Sequence, residues 1–237
     1  MNGAELLVQI LKDHEVEHVA LLCGNGQNGF MQACMDMGVR LVDVRNEQAA
    51  AYIADTYGAM TGKLGVVAVS AGPGHTNAIT GLTNAWWDGR PMLLLSGCSE
   101  ANTRGLGHFQ ELDQIALVNS VCKYARLVER VDQLEHEANK AIQIALSGRP
   151  GPVHLTITGD VFAAQAPAPP TVSKRPHLTR ATPVSAPDPC ALTQACELLG
   201  NAKRPVVIAG SGCYYSGAGE ALRAFAREAD IPVFSLM

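Results

Sequence analysis

The chain has 237 residues, 47% hydrophobic and only 17% charged, with 18 Lys and Arg against 22 Asp and Glu for a net charge of −4. That apolar content excludes disorder for most of the chain, and at roughly 100–200 residues per domain the length holds one complete domain and part of another. Mild acidity argues against a nucleic-acid binder, and no apolar run approaches the roughly 18–20 residues of a membrane span, so neither nucleic acid nor membrane is expected as a partner. Residues 1–10 also lack the basic segment of a secretory signal. Seven scattered cysteines (Cys23, Cys34, Cys98, Cys122, Cys190, Cys196, Cys213) form no CxxC pair and no zinc-ligand spacing with histidine. This is the usage of a reduced, cytoplasmic protein, in which cysteine serves as a small hydrophobe.

In chain order, residues 5–14 read as an amphipathic helix with Leu6, Leu7, Ile10 and Leu11 on one face. Residues 18–23 are an apolar run broken by glycine, 27–37 are helical up to Gly38, and 39–44 are a second apolar run. An alanine-rich helix follows at 47–60, a strand at 65–70, a helix from about 76 to 87 after Gly-Pro-Gly, and a very apolar strand at 91–96. Beyond an irregular stretch, 122–128, 131–146 and 153–157 read as strand, helix and strand. Short strands buried on both faces and separated by helices predict an α/β fold, a doubly wound, mostly parallel sheet with helices on both faces.

Residues 163–189 hold seven of the 13 prolines and have no period, which predicts an extended linker. A helix at 190–199, a strand at 205–209, a Gly210-Ser211-Gly212 turn, a helix at 218–229 and a strand at 231–234 follow. These read as the start of a second, Rossmann-like domain. Two strands do not make a stable sheet of that kind, so it is expected to be incomplete. The predicted division is 1–162, a linker at 163–189, and an unfinished domain at 190–237.

Several motifs admit two readings. Gly24-x-Gly26-x-x-Gly29 follows a strand and opens a helix, and Asp43 lies 19 residues beyond Gly24. This suits a dinucleotide fingerprint, or simply a turn that needs glycine. Glu47 stands at a strand end and a helix start, as a ligand-directed carboxylate or as a helix-capping acid. The glycines of Gly72-Pro73-Gly74 would let a ligand approach a βα turn whose Pro73 supplies a rigid wall. Trp86 and Trp87 suit packing or an interface, and the 148–152 segment suits a rigid turn.

Taken together, RNEQAAAYIADTYGAMTG, SAGPGHTN, NAWWDGRPMLLLSG, FQELDQ and SGRPGPVHLTI occur in the order and spacing of one family. The chain resembles the N-terminal part of thiamine diphosphate-dependent enzymes of the acetolactate synthase type, over residues 1–161 and again from AKRPVVIAGSG, where their central domain begins. The resemblance implies that Glu47 hydrogen-bonds the cofactor's aminopyrimidine at N1′, favouring the imino tautomer whose 4′-nitrogen activates the thiazolium for attack on a 2-oxo acid. It implies further that Gly72, Pro73 and Gly74 lie against the pyrimidine ring, with Asn77 in the same wall, and that Phe109 and Gln110 approach the substrate, Gln110 as a catalytic group. The first βα turn departs from the family's usual Gly-x-Pro-Gly and places Asn25 toward the substrate.

No residue matches the family's Gly-Asp-Gly diphosphate motif. Magnesium and the diphosphate are therefore expected from a domain absent here, carried by a second subunit or chain in a homodimer or homotetramer, and this chain alone is expected to be inactive. Several members of the type bind FAD structurally, and Gly210-Ser211-Gly212 lies where their nucleotide loop would be, although an unfinished domain should not hold it. The same motifs resemble 2-hydroxyacyl-CoA lyases and oxalyl-CoA decarboxylases about as well. Two other readings remain: a non-catalytic fragment or half-subunit, and a nicotinamide dehydrogenase that uses Asp43.

Overall fold

The computed structural model describes residues 1–167 and 186–236. Helix α1 (Gly3–Asp13) opens with a reciprocal cap, in which Asn2 Oδ1 accepts from Glu5 N and Glu5 Oε2 accepts from Asn2 N, both at 2.9 Å. The chain continues through β1 (His18–Leu21), α2 (Asn28–Asp36), β2 (Arg40–Asp43), α3 (Glu47–Thr61), β3 (Gly65–Val69), α4 (Pro73–Asp88) and β4 (Met92–Cys98). A short 3₁₀ turn (Ala101–Thr103) precedes α5 (Gln114–Val118), β5 (Tyr124–Val128), α6 (Val131–Leu146), β6 (Pro152–Thr158) and α7 (Gly159–Ala163).

The six strands form one parallel sheet in the order β2-β1-β3-β4-β6-β5. Alternation along the central strands sends side chains to two cores. Val66, Ala68, Leu93 and Leu95 pack with Leu7, Leu11, Phe30, Leu134 and Ile142 on the α1, α2 and α6 side. Val67, Val69, Met92 and Leu94 pack with Ala50, Ala51, Ala54, Ala78, Leu82 and Ala85 of α3 and α4. Both faces are covered, as the buried strand pattern predicts. None of the seven cysteines is in a disulfide. No helix among the described residues is long and apolar enough to cross a membrane.

Residues 186–236 contribute to a separate unit made of α8 (Pro189–Asn201), β7 (Val207–Ala209), α9 (Ser211–Tyr215), α10 (Gly219–Ala229) and β8 (Val233–Ser235), with β7 and β8 paired in parallel. At the expected Gly210-Ser211-Gly212 turn the chain instead enters α9, with Gly210 as its N-cap. Helix α4 starts three residues before the expected position because Pro73 fits the first helical turn, where no N–H is required. Within the expected linker, Gln165 bridges Asn2 and Ala166 N donates to Met1 O, while 168–185 lie outside the described residues.

Helix α3 is held unusually close to its neighbours by small residues. A Cβ at Gly81 would stand 2.5 Å from Ala51 Cβ, and one at Gly65 would collide with the Ala54 carbonyl. At the far end of α4, Arg149 donates to the Trp86 and Trp87 carbonyls, and Gly89 closes the helix at φ 68°. Arg149 thereby does more than the rigid turn expected of its segment. Trp87 itself is 75% exposed.

Two histidines lie in the core beneath the carboxyl ends of β4 and β6. His75 Nδ1 meets Ser96 Oγ at 2.9 Å, and His154 Nε2 meets Ser96 Oγ and Thr156 Oγ1 at 3.2 Å each. One arrangement of protons serves all three contacts: Ser96 donates to His75 Nδ1, and His154 Nε2–H is shared by the two hydroxyls. Burial pushes His75 down to about 4, against a smaller upward pull from the Gln114 backbone. Burial, and then the neighbouring His75, push His154 well below its ordinary value.

Substituting Gly65 with alanine is expected to lower unfolding free energy by about 2–4 kcal/mol, measured by urea denaturation, because backbone must move to admit the methyl group. The histidine pair sets an acid limit. Both rings stay neutral in the folded state, whereas in the unfolded chain they titrate near ~6.5, so unfolding takes up protons. Stability from this source is complete above about pH 6.5 and is lost as the pH falls toward 4. The urea midpoint should fall over that window, and His75→Gln should flatten the fall; identical slopes would contradict the assignment.

Candidate active site

Strand β1 is followed on one side by β2 and on the other by β3, so the order of the sheet reverses between β1 and β3. Ligands of open parallel sheets bind at such a reversal, outside the carboxyl ends of the strands. The loops meeting there are β1–α2, β2–α3 and β3–α4, with the 99–113 segment after β4 joining them at Gly72.

Glu47 is the first residue of α3, and its half-buried carboxylate faces α4. Asn46 caps the helix through Oδ1, which accepts from Gln48 N at 2.8 Å, so the Glu47 side chain is not consumed in capping. Asn77, one turn into α4, donates from Nδ2 to Glu47 Oε2 at 2.9 Å. A Cβ at Gly74 would stand 3.2 Å from Glu47 Oε1 and would strike Ser70 Oγ, so the carboxylate rests against bare backbone. Gly72 holds φ 56° and ψ −111°, a conformation that disfavours any side chain. Its missing Cβ would lie 2.8 Å from Gln110 O and 3.0 Å from Gln110 Cβ. Gln110 is itself at φ 63°, and its Oε1 is buried without a hydrogen-bond partner.

Glu47, Asn77 and Gly74 are therefore joined directly, and Gly72 joins Gln110. Pro73, between the two glycines, is exposed. Phe109 is not packed into this group, its side chain being 71% exposed. Asn25 makes no hydrogen bond with Glu47, Asn77 or Gln110: its carbonyl presses on Gly97 at the end of β4, and its Nδ2 is buried without a hydrogen-bond partner.

Each glycine of the rival motif lies against another segment of the protein. A Cβ at Gly24 would meet Ser70 Cβ at 2.5 Å, one at Gly26 would meet Cys98 N at 2.9 Å, and one at Gly29 would meet Phe162 Cβ at 3.3 Å. Asp43 pairs with Arg45 at 3.3 Å on the surface. The approach of one chain segment to another accounts for these glycines without a dinucleotide.

Sequence reasoning missed Gln114. It closes the quoted FQELDQ motif, yet its type and spacing carry no sign of what it touches. Its Oε1 accepts from Gly72 N at 2.9 Å, and its Nε2 donates to Gly97 O and Thr156 Oγ1, each at 3.1 Å.

Two family descriptions match the chain in order: thiamine pyrophosphate enzyme, N-terminal TPP binding domain, over residues 1–117, and thiamine pyrophosphate enzyme, central domain, over 192–237. The acetolactate synthase large subunit of Buchnera aphidicola subsp. Schizaphis graminum is 34% identical over 234 residues, 98% of this chain and 41% of that protein. The 2-hydroxyacyl-CoA lyase 1 of Mus musculus is 31% identical over 232 residues, 98% of this chain and 40% of that protein. The oxalyl-CoA decarboxylase of Escherichia coli (strain K12) is 32% identical over 233 residues, 98% of this chain and 41% of that protein. The chain spans about two fifths of the length of these curated relatives. With both domains matched in order and these relatives aligned along nearly its whole length, the chain belongs to the thiamine pyrophosphate enzyme family.

Proposed function

We propose that this chain is the aminopyrimidine-holding part of an enzyme that decarboxylates a 2-oxo acid and transfers the remaining two-carbon unit, as an acetolactate synthase would. The observation carrying this reading is the Glu47 carboxylate, with Oε2 held by Asn77 and Oε1 beside the bare backbone of Gly74 at the sheet's reversal point. An acceptor oxygen next to a wall without side chains fits a flat heterocycle with a ring nitrogen to protonate. Thiamine diphosphate, when bound, supplies the electron sink for cleaving and forming bonds to a carbonyl carbon.

In this reading Glu47 holds the proton at N1′, Asn77 orients its carboxylate, and Gly72, Pro73 and Gly74 form the wall against the ring. Gln110 and Asn25 carry buried, unpartnered polar atoms and are assigned to the substrate together with exposed Phe109. The division at 1–162, 163–189 and 190–237 belongs to the same proposal. So does the supply of magnesium and diphosphate contacts by a further domain, on the same polypeptide or a partner subunit of a homodimer or homotetramer. The groove along α3 and α4, lined by Tyr52, Thr76, Ile79, Thr80 and Trp87, begins at the residue before Asn77 and is the surface assigned to that partner. Residues 210–212 stand where a nucleotide loop for FAD would lie in a completed central domain, and a cytoplasmic setting is assigned from the unbridged cysteines.

A second reading rests on the relatives: lyases and decarboxylases of CoA thioesters align over the same span at nearly the same identity as acetolactate synthases. The polypeptide carrying this chain, purified with whatever copurifies, should be assayed for acetolactate formation from pyruvate and for cleavage of 2-hydroxyacyl-CoA and oxalyl-CoA. The first activity supports the proposal, and thioester cleavage alone supports the second reading. Turnover by the 237-residue chain in isolation would contradict the half-site assignment. Glu47→Gln should lower turnover about 10²- to 10⁴-fold, the range for loss of one acid–base group, with far-UV circular dichroism unchanged. Near-normal turnover would show that the ring sits elsewhere.

A further inference from the structure

Gln114 lies at the start of α5 and is 3% exposed. Its amide reaches three separate pieces of backbone or side chain: Gly72 in the β3–α4 turn, Gly97 at the end of β4, and Thr156 on β6. Both Nε2 protons are used, and Oε1 takes the N–H of a residue that has no side-chain cap of its own. Gly72 is buried, so without Gln114 its N–H would be left without water or partner, which a native turn avoids.

The contacts continue in a closed ring. From Gln114 they pass through Thr156 Oγ1, His154 Nε2 and Ser96 Oγ to His75 Nδ1, three residues beyond Gly72 at the start of the same helix. The 72–75 segment is thus gripped at both ends by groups projecting from β4, β6 and α5. The turn has a second neighbour in Gln110, four residues before Gln114, whose backbone and Cβ lie against Gly72. The 105–111 segment, which bears Phe109 and Gln110, is braced internally: Glu111 accepts from Gly105 N at 2.5 Å and from His108 N at 3.1 Å, and Glu111 N donates to His108 O at 3.0 Å.

We infer that Gln114 is a positioning residue, whose side-chain amide fixes the 72–74 turn and ties the segment bearing Phe109 and Gln110 to it. The pyrimidine wall and the substrate-facing segment consequently move as one body. What the turn holds rests on the proposed function above; that Gln114 holds the turn does not. The residue touches neither cofactor nor substrate in this assignment.

The test uses the whole chain as wild type, Gln114→Met and Thr156→Val, with amide exchange and amide proton shifts read by NMR. Methionine keeps the length of glutamine and removes every hydrogen bond. In Gln114→Met the Gly72 amide is expected to exchange at least about tenfold faster and move upfield, and the Glu111 amide to loosen, while Leu94 and Val153 keep wild-type rates. Thr156→Val removes one acceptor and should raise Gly72 exchange about two- to fivefold. It decides the matter alone if the methionine variant does not fold. Unchanged Gly72 exchange in whichever variants fold, or an equal rise across the entire sheet, overturns the inference.

Titration with 4-amino-5-hydroxymethyl-2-methylpyrimidine separates the two claims. Shifts of Gly74 and Asn77 in wild type, with affinity weakened about tenfold in Gln114→Met, support both. Equal affinity in wild type and variant overturns the positioning role toward the ring. Failure of wild type to respond overturns the reading of the site, and Gly72 exchange still decides the role of Gln114 in the turn.

Discussion

The approach of α3 to α4 sets the geometry on which the candidate site depends. Ala51 and Gly81 bring the two helices together more closely than side chains of ordinary size would allow, and Gly65 lets α3 press on the first residue of β3. With larger residues the helices would separate, and a bond of 2.9 Å between Asn77 on one and Glu47 on the other would be lost. Small residues one helical turn beyond Glu47 and Asn77 thus control the orientation of the carboxylate. Dispersion contacts in this layer are the source of precision for a polar pair that is itself only partly buried.

Beneath this layer lies a polar one. Ser96, His154, Thr156 and Gln114 are buried at the carboxyl ends of the central strands, where an apolar core would have been easier to pack. Polar groups there are tolerable when each finds a partner, and the ring from Gly72 to His75 supplies nearly all of them. His75 Nε2 and His154 Nδ1 remain without hydrogen-bond partners, which agrees with both rings staying neutral. The cost is sensitivity to acid; the gain is a helix start whose position is set by directional bonds.

The regular part of the fold was legible because β3, β4 and β6 are buried on both faces and the long helices show a helical period. Helices α5 and α7, of five residues each, escaped because so short a segment has no period to read. Glu47 could be singled out as an acid at a strand end, yet spacing alone did not separate capping from ligand binding. In the fold Asn46 supplies the side-chain cap, and the Glu47 carboxylate accepts from Asn77. The glycines at 24, 26 and 29 left two readings open because the same residue type serves a phosphate or a neighbouring segment, and here a Cβ on each would meet Ser70, Cys98 or Phe162. Gln114 was out of reach because its partners lie 17 and 42 residues away, and only the tertiary fold brings them together.

The most direct measurement is a diffraction structure of the protein crystallised with thiamine diphosphate. The account expects the aminopyrimidine flat against the 72–74 turn, with its N1′ at about 2.7–3.2 Å from Glu47 Oε1 and the Asn77 bond to Oε2 retained. A well-ordered cofactor elsewhere, with Glu47 still bonded to Asn77 alone, would contradict it.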